Sequence, residues 1–421
     1  MNMFSVENHS LLLEEANRCL KCKVPRCTKA CPISTDIPTI MELFVNGKEQ
    51  EAGALLFANN PLSAICAIVC PHENNCYGNC VLGIKQKPIS FFQIEQYLSG
   101  KYLSEFDCVK PAKNGMRVAV VGAGPAGITM SIMLAQKGFQ VTLMEEQNQI
   151  GGVLRYGIPE FRLPKDRVDA YQDVLRKLGV IIKPNCYIGS NLSIDDMFMD
   201  GYHAVFLAVG TAKPNRLGLL GETLGHVHFA IDFLKSPKVH DLGKNVVVIG
   251  AGNVAMDAAR TALRMGDDVK VTVINNRREQ DVTATREEFS MAVEEGIIFM
   301  HQLSVLRITD DGVICAEVEV VEKENGNIVY EENMLSRQMI EADSVILAIG
   351  QGPKSAPSGE AQIVTTLRGL FVVDENGMTN IPGVFAAGDV VSGPKTVVEA
   401  VSYTKKVADK IEQYCQEKCT K

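Results

Sequence analysis

The sequence predicts an α/β protein in which a helical, cysteine-rich domain precedes two Rossmann-like domains. Eight of the thirteen cysteines lie between Cys19 and Cys80, in a stretch whose apolar residues follow helical spacing. Two glycine-rich loops, at residues 122–127 and 250–255, each follow four apolar residues and precede an apolar helix. A strand, a glycine loop and a helix that recur along a chain predict two doubly wound parallel sheets.

Length and composition narrow the class of protein. The 421 residues suffice for two or three domains, and a hydrophobic content of 46% is ordinary for a globular protein. No apolar run reaches the length of a membrane span. The net charge of −8 gives no support to nucleic-acid binding. The charged N-terminal segment and the odd, clustered cysteines predict a cytoplasmic protein without a secretory signal or a disulfide framework.

The cysteine spacing predicts iron–sulfur clusters. The two runs are Cys19-x2-Cys22-x4-Cys27-x3-Cys31-Pro32 and Cys66-x3-Cys70-Pro71-x4-Cys76-x3-Cys80. Closely spaced cysteines, one of them followed by proline, are typical of ferredoxin clusters, because thiolates suit soft iron. Zinc is the main alternative, since CxxC pairs also bind it, and structural thiols are another. The x3 and x4 spacings and the prolines favour clusters. The scattered cysteines are predicted to be plain thiols: Cys108, Cys186, Cys315, Cys415 and Cys419.

The first glycine loop predicts a dinucleotide site. Its glycines allow a tight turn and a close approach to a pyrophosphate, which the N-terminus of the following helix also attracts. The next strand ends at Glu145, about twenty residues on, where a carboxylate can accept hydrogen bonds from a ribose. The alternative is a turn that only packs a helix on a strand. The predicted binding residues are Gly122, Gly124, Pro125, Ala126, Gly127 and Glu145.

The second glycine loop predicts a nicotinamide coenzyme site. Its next strand ends before Asn275, so no acid stands at the ribose position, and two arginines follow. Arginine suits a 2′-phosphate and favours NADP over NAD, although two arginines at a strand end can also be an ordinary solvated face. The predicted binding residues are Gly250, Gly252, Asn253, Arg277 and Arg278.

Two dinucleotide sites beside iron–sulfur clusters indicate a flavin. A nicotinamide delivers a hydride, clusters accept single electrons, and a flavin converts one into the other. The order along the chain predicts clusters first, then the flavin domain, then the nicotinamide domain. No protein acid or base is needed for this transfer, so we predict no catalytic side chain beyond positioning groups.

Together these three blocks resemble the glutamate synthase small-subunit family of NAD(P)H, FAD and iron–sulfur oxidoreductases. That family includes the electron-input subunit of dihydropyrimidine dehydrogenase, the branch that Arg286–Phe289 and Lys395–Val401 most resemble. The similarity covers almost the whole chain and includes Gly151–Pro164 and Gly383–Asp389. It implies further FAD contacts at Gly152, Gly388, Asp389 and Thr396, where a helix directs its N-terminus at the isoalloxazine.

The resemblance also implies domain boundaries. A helical iron–sulfur domain would span residues 1–112. The FAD domain would comprise residues 113–215 and 344–421. The NAD(P)H domain, residues 216–343, would be inserted between these two FAD segments.

The resemblance further implies two [4Fe–4S] clusters that share the cysteine runs. One cluster would use Cys19, Cys22, Cys27 and Cys80. The other would use Cys31, Cys70, Cys76 and a non-cysteine residue on the following helix. Alignment on Pro88 places Glu95 there, as in the glutamate synthase branch, whereas dihydropyrimidine dehydrogenase has a glutamine. Cys66 would then be a structural thiol, and Gln96 and Cys66 stay open as alternatives to Glu95.

As a function, the resemblance implies an electron-input subunit. It would oxidise NAD(P)H at FAD and pass electrons singly to an FMN-containing barrel subunit in a hetero-oligomer, first of all in a dihydropyrimidine dehydrogenase. A glutamate synthase large subunit, or ferredoxin in a transhydrogenase-type system, are alternative acceptors. A stand-alone flavin disulfide reductase is a different class, but it would need a CxxC beside the flavin and none occurs after Cys22. A purely structural or binding role would leave the glycine loops and cysteines unexplained.

Overall fold

A computed structural model of the chain describes residues 6–108, 110–189, 192–322, 328–354 and 362–419. The chain divides into two compact units. The first comprises the residues up to Leu154, Glu160–Thr211 and the residues from Pro353 on, and the second comprises Arg155–Pro159 and Ala212–Gly352. Each unit contains one five-stranded sheet. The predicted α/β class, with one Rossmann-like domain inserted into the other, is confirmed.

The N-terminal part of the first unit is helical, as predicted. Its described helices are Val6–Asn17, Arg26–Ala30, Ile37–Val45, Glu49–Asn59, Ser63–Val69, the 3₁₀ helix Val81–Ile84 and Phe91–Ser104. A small apolar core that includes Ile40, Phe44, Leu56 and Ile94 holds them together. Of the described helices, none is by itself long and apolar enough to span a bilayer; Glu49–Asn59 and Ser63–Val69 pass only jointly, across an 83° bend.

The sheet of the first unit is parallel throughout. Its strands, in spatial order, are Val384–Ala386, Ala204–Leu207, Arg117–Val121, Gln140–Met144 and Ile181–Lys183. Strand order reverses between Arg117–Val121 and Ala204–Leu207, which is where open α/β sheets bind their ligands. The other helices of this part are Pro125–Gln136, Lys165–Lys177, Ile194–Met199, Asp389–Ser392 and Val397–Cys419, and the short helix Val153–Tyr156 begins in it and ends in the second unit. The long C-terminal helix packs against the helix that follows the glycine loop.

The second unit repeats this parallel arrangement. Its strands, in spatial order, are Val227–Phe229, Ser344–Leu347, Asn245–Ile249, Lys270–Ile274 and Ile298–Met300. Its helices are Ala230–Lys235, Asn253–Leu263 and Arg286–Glu294, with 3₁₀ turns at Pro237–Val239 and Glu279–Asp281. An antiparallel sheet of Leu303–Thr309, Gly312–Glu322 and Ile328–Glu341 follows.

One predicted domain boundary, the start of the second FAD segment, is wrong. The second FAD segment was predicted from residue 344, but Ser344–Leu347 pairs with Asn245–Ile249 inside the second sheet. A two-stranded ribbon of Lys213–Pro214 and Gln351–Gly352 then joins the two chain segments that enter and leave the second unit. The chain therefore returns to the first unit after Gly352. The boundaries at residues 112 and 215 stay predictions.

Candidate cofactor sites

The four cysteines predicted for the first cluster line one pocket. Cys19, Cys22, Cys27 and Cys80 all face it. Cys80 comes from the second cysteine run and caps the 3₁₀ helix Val81–Ile84. The rest of the lining is mainly apolar: Leu20, Pro25, Arg26, Ile37, Pro38, Cys76, Val81, Leu82, Ile89 and Phe91. Thiols from two distant segments thus converge in one mainly apolar pocket.

The environment of these thiols fits a cluster. Burial raises the pKa of the Cys19 thiol, the Lys21 amide opposes this by a hydrogen bond, and the thiols of Cys22 and Cys80 raise the pKa further. Lys21 holds φ at +46°, a left-handed turn that rarely occurs outside glycine. The Ile89 amide donates to Cys80 Sγ at 3.5 Å. Crowded, partly buried sulfurs that accept backbone N–H groups suit iron, which takes up the thiolate charge.

The residues predicted for the second cluster also come together. A hydrogen bond with the Cys66 thiol, burial, and the nearby Glu95 and Cys76 raise the pKa of Cys70 well above its usual value. Burial, Glu95 and Cys31 do the same for Cys76. Glu95 lies on the inner side of helix Phe91–Ser104, only 8% exposed. These side chains therefore lie close together, with Cys31 and Cys70 partly buried and the other three buried, and their ligand roles stay predictions.

Cys66, which was predicted to be a structural thiol outside the cluster, lies beside Cys70 of the second group. It is 2% exposed and shares a hydrogen bond with Cys70. Gln96 follows Glu95 on the same helix but is only partly buried. Within the described residues, no set of three or more His, Cys, Asp or Glu side chains is arranged for a single metal ion. The choice between Glu95, Gln96 and Cys66 as fourth ligand therefore stays open.

In the first glycine loop, two glycines are required by the fold and one is not. A Cβ on Gly122 would lie 2.4 Å from the Ala208 carbonyl oxygen, and one on Gly127 would lie 1.8 Å from that of Gly122. A Cβ on Gly124 would meet nothing closer than the Cα of Gly152, at 3.9 Å. The space over Gly124 fits the close approach of a pyrophosphate. Pro125 and Ala126 begin helix Pro125–Gln136, and proline is well suited to that first position.

Glu145 lies at the predicted ribose position. Its Oε2 accepts the Ala123 amide at 2.7 Å, and its Oε1 accepts the Gln147 amide at 2.9 Å. Burial raises the pKa of this carboxyl, and the two amides act in the opposite direction. Each oxygen keeps a lone pair that can accept a ribose hydroxyl, so the residue fits its predicted role.

The segments implied by the resemblance also lie at this loop. Gly152, with φ at +51°, packs on Gly124, and Gly388, with φ at +79°, packs on the Cβ of Ala126. Asp389 follows at the start of a short helix, and burial raises its pKa to about 6. These contacts bring residues from three separate segments to one edge of the sheet.

Thr396 caps the C-terminal helix, which begins at Val397. The Thr396 amide donates to Glu399 Oε2 at 3.0 Å, and the Glu399 amide donates to Thr396 Oγ1 at 3.4 Å. This reciprocal pair is a capping box. The Glu399 carboxylate offsets part of the positive charge of the helix terminus. The terminus therefore offers a flavin less positive charge than the sequence suggested.

The second glycine loop, like the first, contains a glycine that the fold requires and a glycine that it does not. A Cβ on Gly250 would lie 2.4 Å from the Ala348 carbonyl oxygen, whereas one on Gly252 would lie 3.7 Å from Thr283 Oγ1. Asn253 Oδ1 accepts the Thr285 amide at 2.9 Å, so this side chain fixes the loop that covers the helix start. Gly252 is again the position left open for a ligand.

At the next strand end, Asn275 takes the place that Glu145 has in the first unit. Its Oδ1 accepts the Arg277 amide at 3.1 Å, and its side chain lies 3.2 Å from His301 Nδ1. Arg278 Nε donates to Asp281 Oδ2 at 2.6 Å. A 2′-phosphate would therefore compete with Asp281 for this guanidinium. Asp281 and His301 were not among the predicted site residues, because neither belongs to a local motif.

The C-terminal helix also contacts the cysteine-rich domain, which the sequence analysis missed. Ser402 Oγ donates to the Pro32 carbonyl at 2.8 Å. Lys405 Nζ donates to the carbonyl and the side-chain oxygen of Asn59, at 2.6 and 2.8 Å. Pro32 follows Cys31, so this helix extends from the flavin-domain segment to the second cysteine group. Contacts across 370 residues leave no local signal in a sequence.

Comparison with known proteins identifies the family. Residues 116–403 match the family described as pyridine nucleotide-disulphide oxidoreductase, and residues 2–105 match dihydropyrimidine dehydrogenase domain II, 4Fe-4S cluster. The small chain of NADPH glutamate synthase from Azospirillum brasilense is 33% identical, over 96% of this chain and 89% of that protein. The chain belongs to the glutamate synthase small-subunit family. Its members include the NAD-dependent dihydropyrimidine dehydrogenase subunit PreT of Salmonella typhimurium, 32% identical over 97% and 96% of the two chains.

The glutamate synthase small-subunit family accounts for the predicted cofactors. Membership confirms an oxidoreductase with FAD, NAD(P)H and [4Fe–4S] cofactors. The structure of FprA from Mycobacterium tuberculosis in complex with NADPH shares the fold, with a TM-score of 0.63 and 17% identity over 72% of this chain and 85% of that one. These two relatives are nearly equally identical to this chain, and they are subunits of different multi-subunit enzymes. Sequence identity therefore does not distinguish the dihydropyrimidine dehydrogenase branch from the glutamate synthase branch.

Proposed function

We propose that this chain is the electron-input subunit of a dihydropyrimidine dehydrogenase and that it feeds an FMN-containing barrel subunit. Bound FAD would supply the conversion between the hydride of NAD(P)H and the single electrons that clusters accept. The observation that carries this proposal is the convergence of Cys80 with Cys19, Cys22 and Cys27 in one pocket. A chain that only reduced a small molecule at a flavin would not need it.

The chain's own residues bind and position the cofactors. Gly124 leaves room for the FAD pyrophosphate, Glu145 would accept a ribose hydroxyl, and Asp389 would face the middle of the cofactor. Gly252 and the two arginines after Asn276 bind the nicotinamide coenzyme. No side chain would have to move a proton in this scheme, since hydride transfer from a nicotinamide to a flavin needs no protein acid or base.

Electrons leave through the two cysteine groups in a fixed order. The second group lies next to the C-terminal helix of the flavin domain, through the Ser402 contact with Pro32. Leu20 and Arg26, which line the pocket of the first group, are exposed. The second cluster would therefore take electrons from the flavin domain, and the first cluster would pass them to the partner. The described cysteines are all free thiols, which supports the proposed cytoplasmic location.

Two observations bear on the branch. The alignment covers 96% of PreT but 89% of the glutamate synthase small chain, and the Lys395–Val401 stretch resembles the dehydrogenase branch. Glu95, however, matches the glutamate synthase branch, so a glutamate synthase small subunit is the second candidate. Either assignment makes this chain one part of a hetero-oligomer.

An anaerobic reduction experiment tests the function. The purified protein should contain flavin, iron and acid-labile sulfide, and NAD(P)H should bleach the flavin and produce the electron paramagnetic resonance signal of reduced [4Fe–4S] clusters. Flavin reduction without cluster reduction would contradict an electron-input role.

A native pull-down from the source cell then identifies the branch. Co-purification of a barrel subunit that reduces pyrimidines to dihydropyrimidines supports the first candidate. Co-purification of a large amidotransferase supports the second and overturns the first.

A further inference from the structure

The surface above the first cysteine group is basic, in contrast to the chain as a whole. Residues 18–29 contain five Lys or Arg and residues 81–90 contain two, with no Asp or Glu in either segment. The whole chain has a net charge of −8. Such a local excess of positive charge creates a distinct electrostatic face.

The two basic segments form one surface. Arg18 Nη2 donates to the Lys87 carbonyl at 2.6 Å, which joins them directly. Leu20 and Arg26 from the first segment and Val81 and Leu82 from the second line the same pocket as the thiols. The first cysteine group therefore lies immediately beneath this surface.

The same surface exposes large apolar side chains. Leu20 is 59% exposed, Val24 is 64% exposed and Ile84 is 68% exposed. Lys21 is engaged by Glu42 at 3.5 Å. In the part of the chain that the structure describes, Lys23, Lys85 and Lys87 have no ion-pair partner. Apolar side chains surrounded by unpaired charges are typical of a protein interface rather than of an ordinary solvated surface.

We propose that this surface is where the electron-accepting protein docks, and that the acceptor presents acidic side chains around its redox centre. We call it the exit face; it comprises Leu20, Lys23, Val24, Ile84, Lys85 and Lys87. The proposal rests on the proposed function, because it places the partner at the cluster from which electrons leave. Complementary charge guides the encounter, and the apolar centre excludes water once the partners meet.

The electron balance defines the assay. Each NAD(P)H gives two electrons and becomes NAD(P)⁺ with release of one proton, so two molecules of a one-electron acceptor are reduced. Two purified probes of opposite surface charge are used, an acidic plastocyanin and a basic cytochrome c; because they also differ in fold and redox centre, each is compared only with itself across the variants. Both are one-electron acceptors of positive potential, so the reaction is downhill with either.

The test variant is the double substitution Lys85→Glu and Lys87→Glu in the holoprotein. Electrostatic steering changes association rates by about 10- to 1,000-fold. We expect kcat/KM for plastocyanin to fall at least about tenfold at low ionic strength and that for cytochrome c to rise. Added salt should slow the unaltered protein with plastocyanin and should have little effect on the variant.

The matched control is Lys244→Glu with Lys270→Glu, which makes the same charge change in the second unit. Lys244 precedes one strand and Lys270 begins the next, at the sheet edge opposite the glycine loop. Reduction of uncharged menadione at the flavin should be unchanged in both variants. An Ile84→Ser variant should slow plastocyanin at high salt as well, because it weakens the apolar contact.

The outcomes separate the two proposals. Equal effects of the two double substitutions, or clusters that are reduced by NAD(P)H yet never reduce plastocyanin, would overturn the exit face and leave the proposed function intact. Clusters that NAD(P)H leaves oxidised in the unaltered protein would overturn the proposed function, and the exit face with it.

Discussion

A methyl group added at Gly124 tests the first dinucleotide site without disturbing the fold around it. The backbone of Gly124 has φ −77° and ψ −170°, which alanine adopts without strain. The new Cβ would have no heavy atom closer than 3.9 Å. Gly124→Ala should therefore fold, while its methyl group projects into the space predicted for the FAD pyrophosphate.

The expected magnitudes follow from these contacts. Alanine is a poorer helix cap than glycine but loses less chain entropy on folding, so the apoprotein should change by no more than about 1 kcal/mol. Each lost hydrogen bond to a charged phosphate costs about 1.5–3 kcal/mol. The Kd for FAD should rise about 10- to 150-fold per lost bond.

Two glycine variants serve as controls. Gly127→Ala places its Cβ 1.8 Å from a carbonyl oxygen and should destabilise the apoprotein by about 3 kcal/mol. Gly252→Ala is the open position of the second loop, so it should keep FAD and weaken NAD(P)H. Urea unfolding of the apoproteins, FAD titration by fluorescence and coenzyme titration measure the three effects. A Gly124→Ala protein that binds FAD normally would refute the placement of the pyrophosphate.

Three further outcomes test other parts of the site. Cys66→Ser should leave iron content unchanged whereas Glu95→Ala should halve it, and the reverse result would make Cys66 the ligand. Replacing Arg277 and Arg278 by alanine should raise the KM for NADPH much more than that for NADH, and equal increases would remove the 2′-phosphate assignment. Because burial raises the pKa of Asp389 to about 6, the folded apoprotein holds a proton that the unfolded chain has lost, and stability falls as pH rises from about 4 to 6. Asp389→Asn should flatten that fall in melting temperature, and an unchanged pH profile would contradict it.

Local pattern was enough to predict the parts of the fold that depend on neighbouring residues. The glycine loops and Glu145 follow their strands directly, so a strand, a turn and a helix could be recognised without the structure. The C-terminal limit of the inserted domain could not be placed this way. Ser344–Leu347 is an apolar strand that could belong to either parallel sheet, and only its pairing with Asn245–Ile249 assigns it.

The candidate sites show the same limit. The convergence of Cys80 on the first run came from resemblance rather than from spacing, because spacing alone would pair each cysteine with its neighbours. The contacts of Asn275 with His301 and with the Arg277 amide could not be predicted. The sequence shows only that no acid stands at this position. The effect of Glu399 on the charge of the helix terminus was not predicted. It depends on the Glu399 side chain accepting the Thr396 amide, which only the structure shows.

The contact between Ser402 and Pro32 sets an order of events during synthesis. The two residues are separated by 370 positions, and at about 5–20 residues per second the ribosome needs about 20–70 seconds to pass from one to the other. The cysteine-rich segment therefore emerges long before the helix that packs against it. Its thiols are available for iron and sulfide delivery during that interval, and docking of the last helix then closes the side next to Cys31.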